Sequence, residues 1–140
     1  MQVYIGVDFH PHQQTVAWCD SKTGETETVT LHHELGKVRE FYSSFPEPAV
    51  IGIEASSRAL WFENLMDETG HKLVVGNPEK IRKRSLSRHK NDRLDAELIL
   101  TLLLRDEFPA IWRRSSEANQ ILEILRLRQK LVSARTSSAG

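Results

Sequence analysis

"QVYIGVDFHPHQQTVAWCDSKTGETETVTL" (2–31) decides the fold. "QVYIGVD" (2–8) is an apolar, β-branched run ending in an acid and reads as a buried strand. "FHPHQ" is a turn, and "TVAWCD" (15–20) is a second strand. "SKTGE" is a hairpin turn, and "TETVTL" (26–31) alternates like a third, half-exposed strand. Strands joined by turns this short are antiparallel neighbours.

Downstream the period changes. "ELGKVREFYSSF" (34–45) spaces Leu35, Val38, Phe41, Tyr42 and Phe45 as one helix face, and Pro46 and Pro48 end it. "AVIGIEA" (49–55) is a second fully apolar run that also ends in an acid. "SSRALWFENLMDETG" (56–70) predicts a helix with a Ser cap and a terminal Gly, and "HKLVVGNP" (71–78) a short buried strand. Alternating helix and strand predicts parallel strands covered on both faces. A basic connector follows at 79–91, then a helix from Asp92 to Asp106 and a last helix from Glu117 to Arg135. The expected architecture is α/β: a mixed five-stranded sheet with helices on both faces, plus a C-terminal amphipathic helix.

The 140 residues suit one domain, and 39% hydrophobic content supports a core. The balanced total of 19 basic and 19 acidic residues hides an asymmetry. Residues 1–71 hold 4 Lys/Arg against 11 Asp/Glu, a net of −7, whereas 72–93 hold 8 against 2, a net of +6. A +6 block favours a polyanionic partner or is a solvated loop. Cys19 is the only cysteine, which excludes an internal disulfide and fits a reducing, cytoplasmic setting. No signal peptide opens the chain, and no apolar run is long enough to span a membrane.

Asp8 and Glu54 end strands of nearly the same shape, "YIGVD" and "VIGIE". A carboxylate at the end of an apolar strand is costly to desolvate unless something binds it. If the two strands are neighbours, their carboxylates lie side by side and repel, a conflict that a divalent cation removes. In "HKNDRLDAEL" (89–98), Asp92 and Asp95 share a helix face that continues into Ile99 and Leu102, so both acids point toward the sheet. An N-cap and an N3 acid would also explain this pair, as turn-capping would explain Asp8 and Glu54. Four converging carboxylates, Asp8, Glu54, Asp92 and Asp95, are enough for two Mg²⁺ or Mn²⁺ ions about 4 Å apart, the arrangement that clamps a phosphodiester.

"IGVDFH", "IGIEASSRALWFENLMDETGHKLVVGNP" and "SRHKNDRLDAELI" together resemble the N-terminal RuvC-like domain of the DEDD transposases, insertion-sequence enzymes guided by a bridge RNA. The resemblance spans roughly 3–136, with "RxKNDxxDA" (88–96) its most specific part. It implies a ribonuclease H-like fold and a metal-binding catalytic tetrad of Asp8, Glu54, Asp92 and Asp95. It implies DNA and a guide RNA as partners, with Lys80, Arg82, Lys83, Arg84, Arg88 and Lys90 as nucleic-acid contacts. The nucleophilic serine of the family sits in a second domain, and no serine here matches it. Residues 1–112 then form the catalytic domain. Residues 113–140 begin a helical linker through which the protein dimerises, and the natural chain is expected to continue.

A stand-alone junction-resolvase-like endonuclease would need the same acids, and a nucleic-acid-binding module would need none of them. His10 and His12 read as turn histidines beside Asp8, and His32 and His33 as exposed. Trp18, Trp61 and Trp112 read as packing residues.

Overall fold

In the computed structural model, residues 2–34, 36–85 and 92–114 are described, with positions 92, 94 and 112–114 described in backbone only. β1 (Val3–Phe9), β2 (Gln13–Asp20) and β3 (Thr26–His32) are followed by α1 (Lys37–Ser43), β4 (Val50–Glu54), α2 (Leu60–Thr69) and β5 (Lys72–Gly76). α3 (Pro78–Lys83), α4 (Asp92–Leu104) and β6 (Ala110–Arg114) complete the order. The strands form one mixed sheet in the order β3-β2-β1-β4-β5-β6. β1 is antiparallel to β2 and parallel to β4, and β4 is parallel to β5.

The expected sheet of five strands has six. β6 runs antiparallel to β5 along the edge, with an irregularity at Val75/Gly76. The five residues "AIWRR" are too short and too charged to announce a strand. The backbone of β5 supplies the pairing, which is a non-local cause. The C-terminal helix expected at 117–135 lies outside the described residues.

Side-chain alternation divides the sheet into two faces. On one, Ile5, Val7, Val16, Ile51, Ile53, Leu73 and Val75 bury against Val38 and Tyr42 of α1 and Phe62, Leu65 and Met66 of α2. On the other, Ala17 and Cys19 meet Ala96 and Leu100 of α4. Ile99, Leu102 and Leu103 of α4 pack there with Ile81 of α3. The helical face read from Asp95 through Ile99 and Leu102 is therefore the buried one.

Three further expectations change. Helix α2 starts at Leu60 with no side-chain cap, because Ala55–Ser57 form a separate 3-10 turn. Its C-terminal signal holds: Gly70 takes φ 77°, and the His71 amide donates to Met66 O at 3.0 Å. The basic connector opens as a helix, α3, with Pro78 in its first turn. The Asn77 side chain accepts from the amides of Glu79 and Lys80 at 3.0 and 3.2 Å. His33 is half-buried rather than exposed, because the start of α2 folds over it.

Candidate functional site

Gly6 and Gly52 are direct partners across the parallel β1–β4 pair, on the face under α4. A Cβ on Gly6 would stand 2.4 Å from the carbonyl oxygen of Ala96 and 2.5 Å from the amide nitrogen of Leu100. One on Gly52 would stand 3.0 Å from side-chain atoms of Ile99 and Leu103. The two glycines form a flat track that lets α4 lie directly on the backbone of the sheet. Two residues further along each strand, on the same face, come Asp8 and Glu54. The shared shape of "YIGVD" and "VIGIE" is thus a helix seat followed by an acid.

Asp8, Glu54 and Asp95 line one cleft of about 160 Å³ with Ile81, Arg82, Ser85 and Leu98. β1 and β4 supply the first two acids, the first turn of α4 supplies Asp95, and α3 with the residues after it closes the far wall. All three carboxylates are half-buried. His10 Nε2 lies 2.9 Å from Asp8 Oδ2, and the Ser56 hydroxyl donates to Glu54 Oε2 at 3.3 Å. Of the two turn histidines expected beside Asp8, His10 is the one in contact with its carboxylate. Asp92 is the first residue of α4, and its side chain lies outside the described ones.

Among the described residues, which exclude the Asp92 side chain, no group of three or more His, Cys, Asp and Glu side chains is arranged to hold a metal ion. The donor chemistry nevertheless fits a hard divalent ion, because Mg²⁺ keeps several waters and takes few carboxylates together with substrate oxygens.

Of the basic residues, Lys80, Arg82, Lys83 and Arg84 are exposed on and just after α3, and Arg82 lines the cleft. Arg84 pairs with Glu107 at 2.9 Å, which ties the end of α3 to the loop after α4. Arg88 and Lys90 lie outside the described residues. No helix among those described is long and apolar enough to cross a membrane.

A probable family 20 transposase from Pseudomonas aeruginosa strain PAO1 is 29% identical over 113 residues, covering 79% of this chain and 33% of the relative. The chain therefore spans about a third of the length of that relative. The family model of the IS110-type DEDD transposases, described as a transposase, matches residues 5–139. A match over nearly the whole length assigns the chain: it belongs to the IS110-type DEDD transposase family.

Proposed function

We propose that this chain is the divalent-metal-dependent catalytic domain of a DNA transposase with a ribonuclease H-like fold, acting on phosphodiesters together with a serine-bearing domain. The supporting observation is the meeting of Asp8, Glu54 and Asp95, far apart in sequence, in one cleft beneath the seat of α4. Asp92, one helical turn before Asp95, completes a tetrad in this reading.

These carboxylates would hold Mg²⁺ or Mn²⁺, two ions in the full site. When bound, the ions supply stabilisation of the attacking and leaving oxygens of a phosphodiester. The chain's own residues prepare that role. Gly6 and Gly52 fix the height of α4 over the sheet and so the distance of Asp95 from the two strand acids. His10 engages one oxygen of Asp8 and restricts the rotation of its carboxylate. Ser56 does the same for Glu54. Arg82, on the cleft wall, draws a phosphate toward the acids, and Lys80 and Lys83 extend the basic surface outward.

DNA is the substrate in this reading, with a guide RNA as second nucleic acid. Residues 113–140 begin a linker and dimerisation segment, and the setting is cytoplasmic. Isothermal titration with Mn²⁺ tests the core of the proposal. Asp95→Asn is expected to weaken binding at least about tenfold, roughly 1.4 kcal/mol, with the circular dichroism spectrum unchanged. Equal binding by the two proteins would overturn the metal-centre reading.

A further inference from the structure

A second feature stands at the same rim of the sheet, on the opposite face. Leu60 and Trp61, which open α2, are 71% and 44% exposed and rank among the few large apolar side chains left in solvent in the described residues. Trp61 is well supported from behind. Its ring centroid lies 5.6 Å from Phe9, 5.8 Å from Phe62 and 4.9 Å from His33. Phe9 in turn lies 4.8 Å from His33.

A buried polar chain holds the histidine of this group. The Tyr42 hydroxyl donates to Gln14 Oε1 at 2.6 Å, so the Gln14 amide nitrogen faces His33 Nε2, 3.2 Å away, as donor. The network therefore assigns Nε2 of His33 as acceptor and Nδ1 as the protonated nitrogen, which faces Pro11 O at 3.2 Å. Burial lowers the pKa of His33, which favours the neutral ring. The titratable groups felt at that ring are three more histidines, His12, His10 and His32. The one buried acid nearby in sequence, Glu63, is matched by Arg58 at 2.7 Å.

We propose that Trp61, backed by Phe9 and His33, stacks one unpaired nucleobase of a strand whose backbone passes over the rim into the acid cleft. The proposal rests on the nucleic-acid reading above. Phe9 follows Asp8 directly, so the platform and the cleft are separated by one residue of β1 and by the thickness of the sheet edge. An unpaired base fits because a duplex hides the faces of its bases. Among the described residues, one indole and one leucine offer far less than the roughly 800 Å² per partner of a stable interface, so this patch by itself does not fit a second protein copy. Base–aromatic stacking contributes about 1–3 kcal/mol.

Fluorescence anisotropy with the 140-residue chain tests this, using a labelled oligothymidylate and a duplex of equal length in Ca²⁺ buffer. Trp61→Leu keeps an apolar side chain on Phe9 and Phe62 but removes the indole face. It is expected to weaken single-strand binding about 5- to 150-fold and leave duplex affinity within about twofold. Trp61→Phe is expected to stay within about threefold of the unaltered chain. Thermal melts confirm that each variant is folded. Unchanged single-strand affinity in Trp61→Leu, or equal loss on both ligands, overturns the stacking site. A change of sedimentation coefficient on substitution also overturns it, in favour of a protein–protein contact. Mn²⁺ titration of the same variants separates the two readings. Normal metal binding with unchanged single-strand affinity removes only the platform, whereas an unaltered chain that binds neither oligonucleotide removes both.

Discussion

The α-carbon of Gly6 lies so close to the backbone of Ala96 that even a methyl group would meet the Ala96 carbonyl at 2.4 Å. This contact sets where α4 sits, and with it where Asp95 stands relative to Asp8. A backbone obstacle cannot rotate away as a side chain can, so the seat is steric and specific to glycine.

Gly6→Ala is therefore expected to destabilise the fold by about 1–3 kcal/mol or more, the range for overpacking, and to weaken Mn²⁺ binding in parallel. Gly52→Ala meets only side-chain atoms of Ile99 and Leu103 at 3.0 Å, which shift more readily, and is expected to cost less. Urea unfolding of both variants reads the difference. Equal costs would mean that the seat is not defined by the backbone.

Tyr42→Phe removes the hydroxyl that donates to Gln14 Oε1 while both residues are fully buried. Leaving that oxygen without its donor is expected to cost about 1–3 kcal/mol in denaturant unfolding. It should also loosen the ring of His33, visible as broadening of its imidazole resonances.

Stability should fall on acidification partly through His33. Its pKa is lowered below the ordinary 6.5, chiefly by burial. The unfolded chain therefore binds the proton more readily than the folded one. The sign follows: the contribution is fully present above about pH 6.5 and is lost as pH falls through the lower folded value. His10, His12 and His32 sit around this ring and repel its charged form further. Unfolding at pH 7.5 and 5.5 should show a smaller difference for His33→Gln than for the unaltered chain.

Arg82 and Arg84 are neighbours on the basic surface with different partners. Arg82 lines the cleft, whereas Arg84 is paired with Glu107. In DNA binding measured against salt, Arg82→Ala should lower the slope of log K on log salt by about 1, as expected for one lost phosphate contact. Arg84→Ala should lower it by less. The opposite ranking would move the nucleic-acid path away from the acids.

The strands β1 and β4, each ending in an acid, and the burial of the α4 face that runs on from Asp95 were legible because periodicity and a strand-end acid are properties of a few adjacent residues, whereas the pairing of β1 with β4 entered only as a condition. The glycines inside "YIGVD" and "VIGIE" were visible, but their use was not, since the helix they seat lies more than forty residues beyond Gly52. β6 escaped for the same reason: "AIWRR" becomes a strand only because β5 offers an edge. The α3 helix did leave a local mark, Asn77–Pro78, which the high charge of the following residues masked. His33 was misjudged because its cover, Trp61, arrives from the next layer of the fold. Residues 86–91 and 115–140 hold Arg88, Lys90 and the expected last helix, and none of these is among the described positions.

The β2–β3 hairpin tip lies at the end of the sheet remote from Asp8, since Val3 pairs with Asp20 while Asp8 pairs with Thr15. Cys19, the chain's only cysteine, is buried, and burial raises its thiol pKa, which keeps it unreactive. A Lys22→Cys substitution would thus place a single reactive thiol on an exposed loop. A fluorophore or a surface tether attached there would report on the protein from the far pole and leave the working rim open to its ligands.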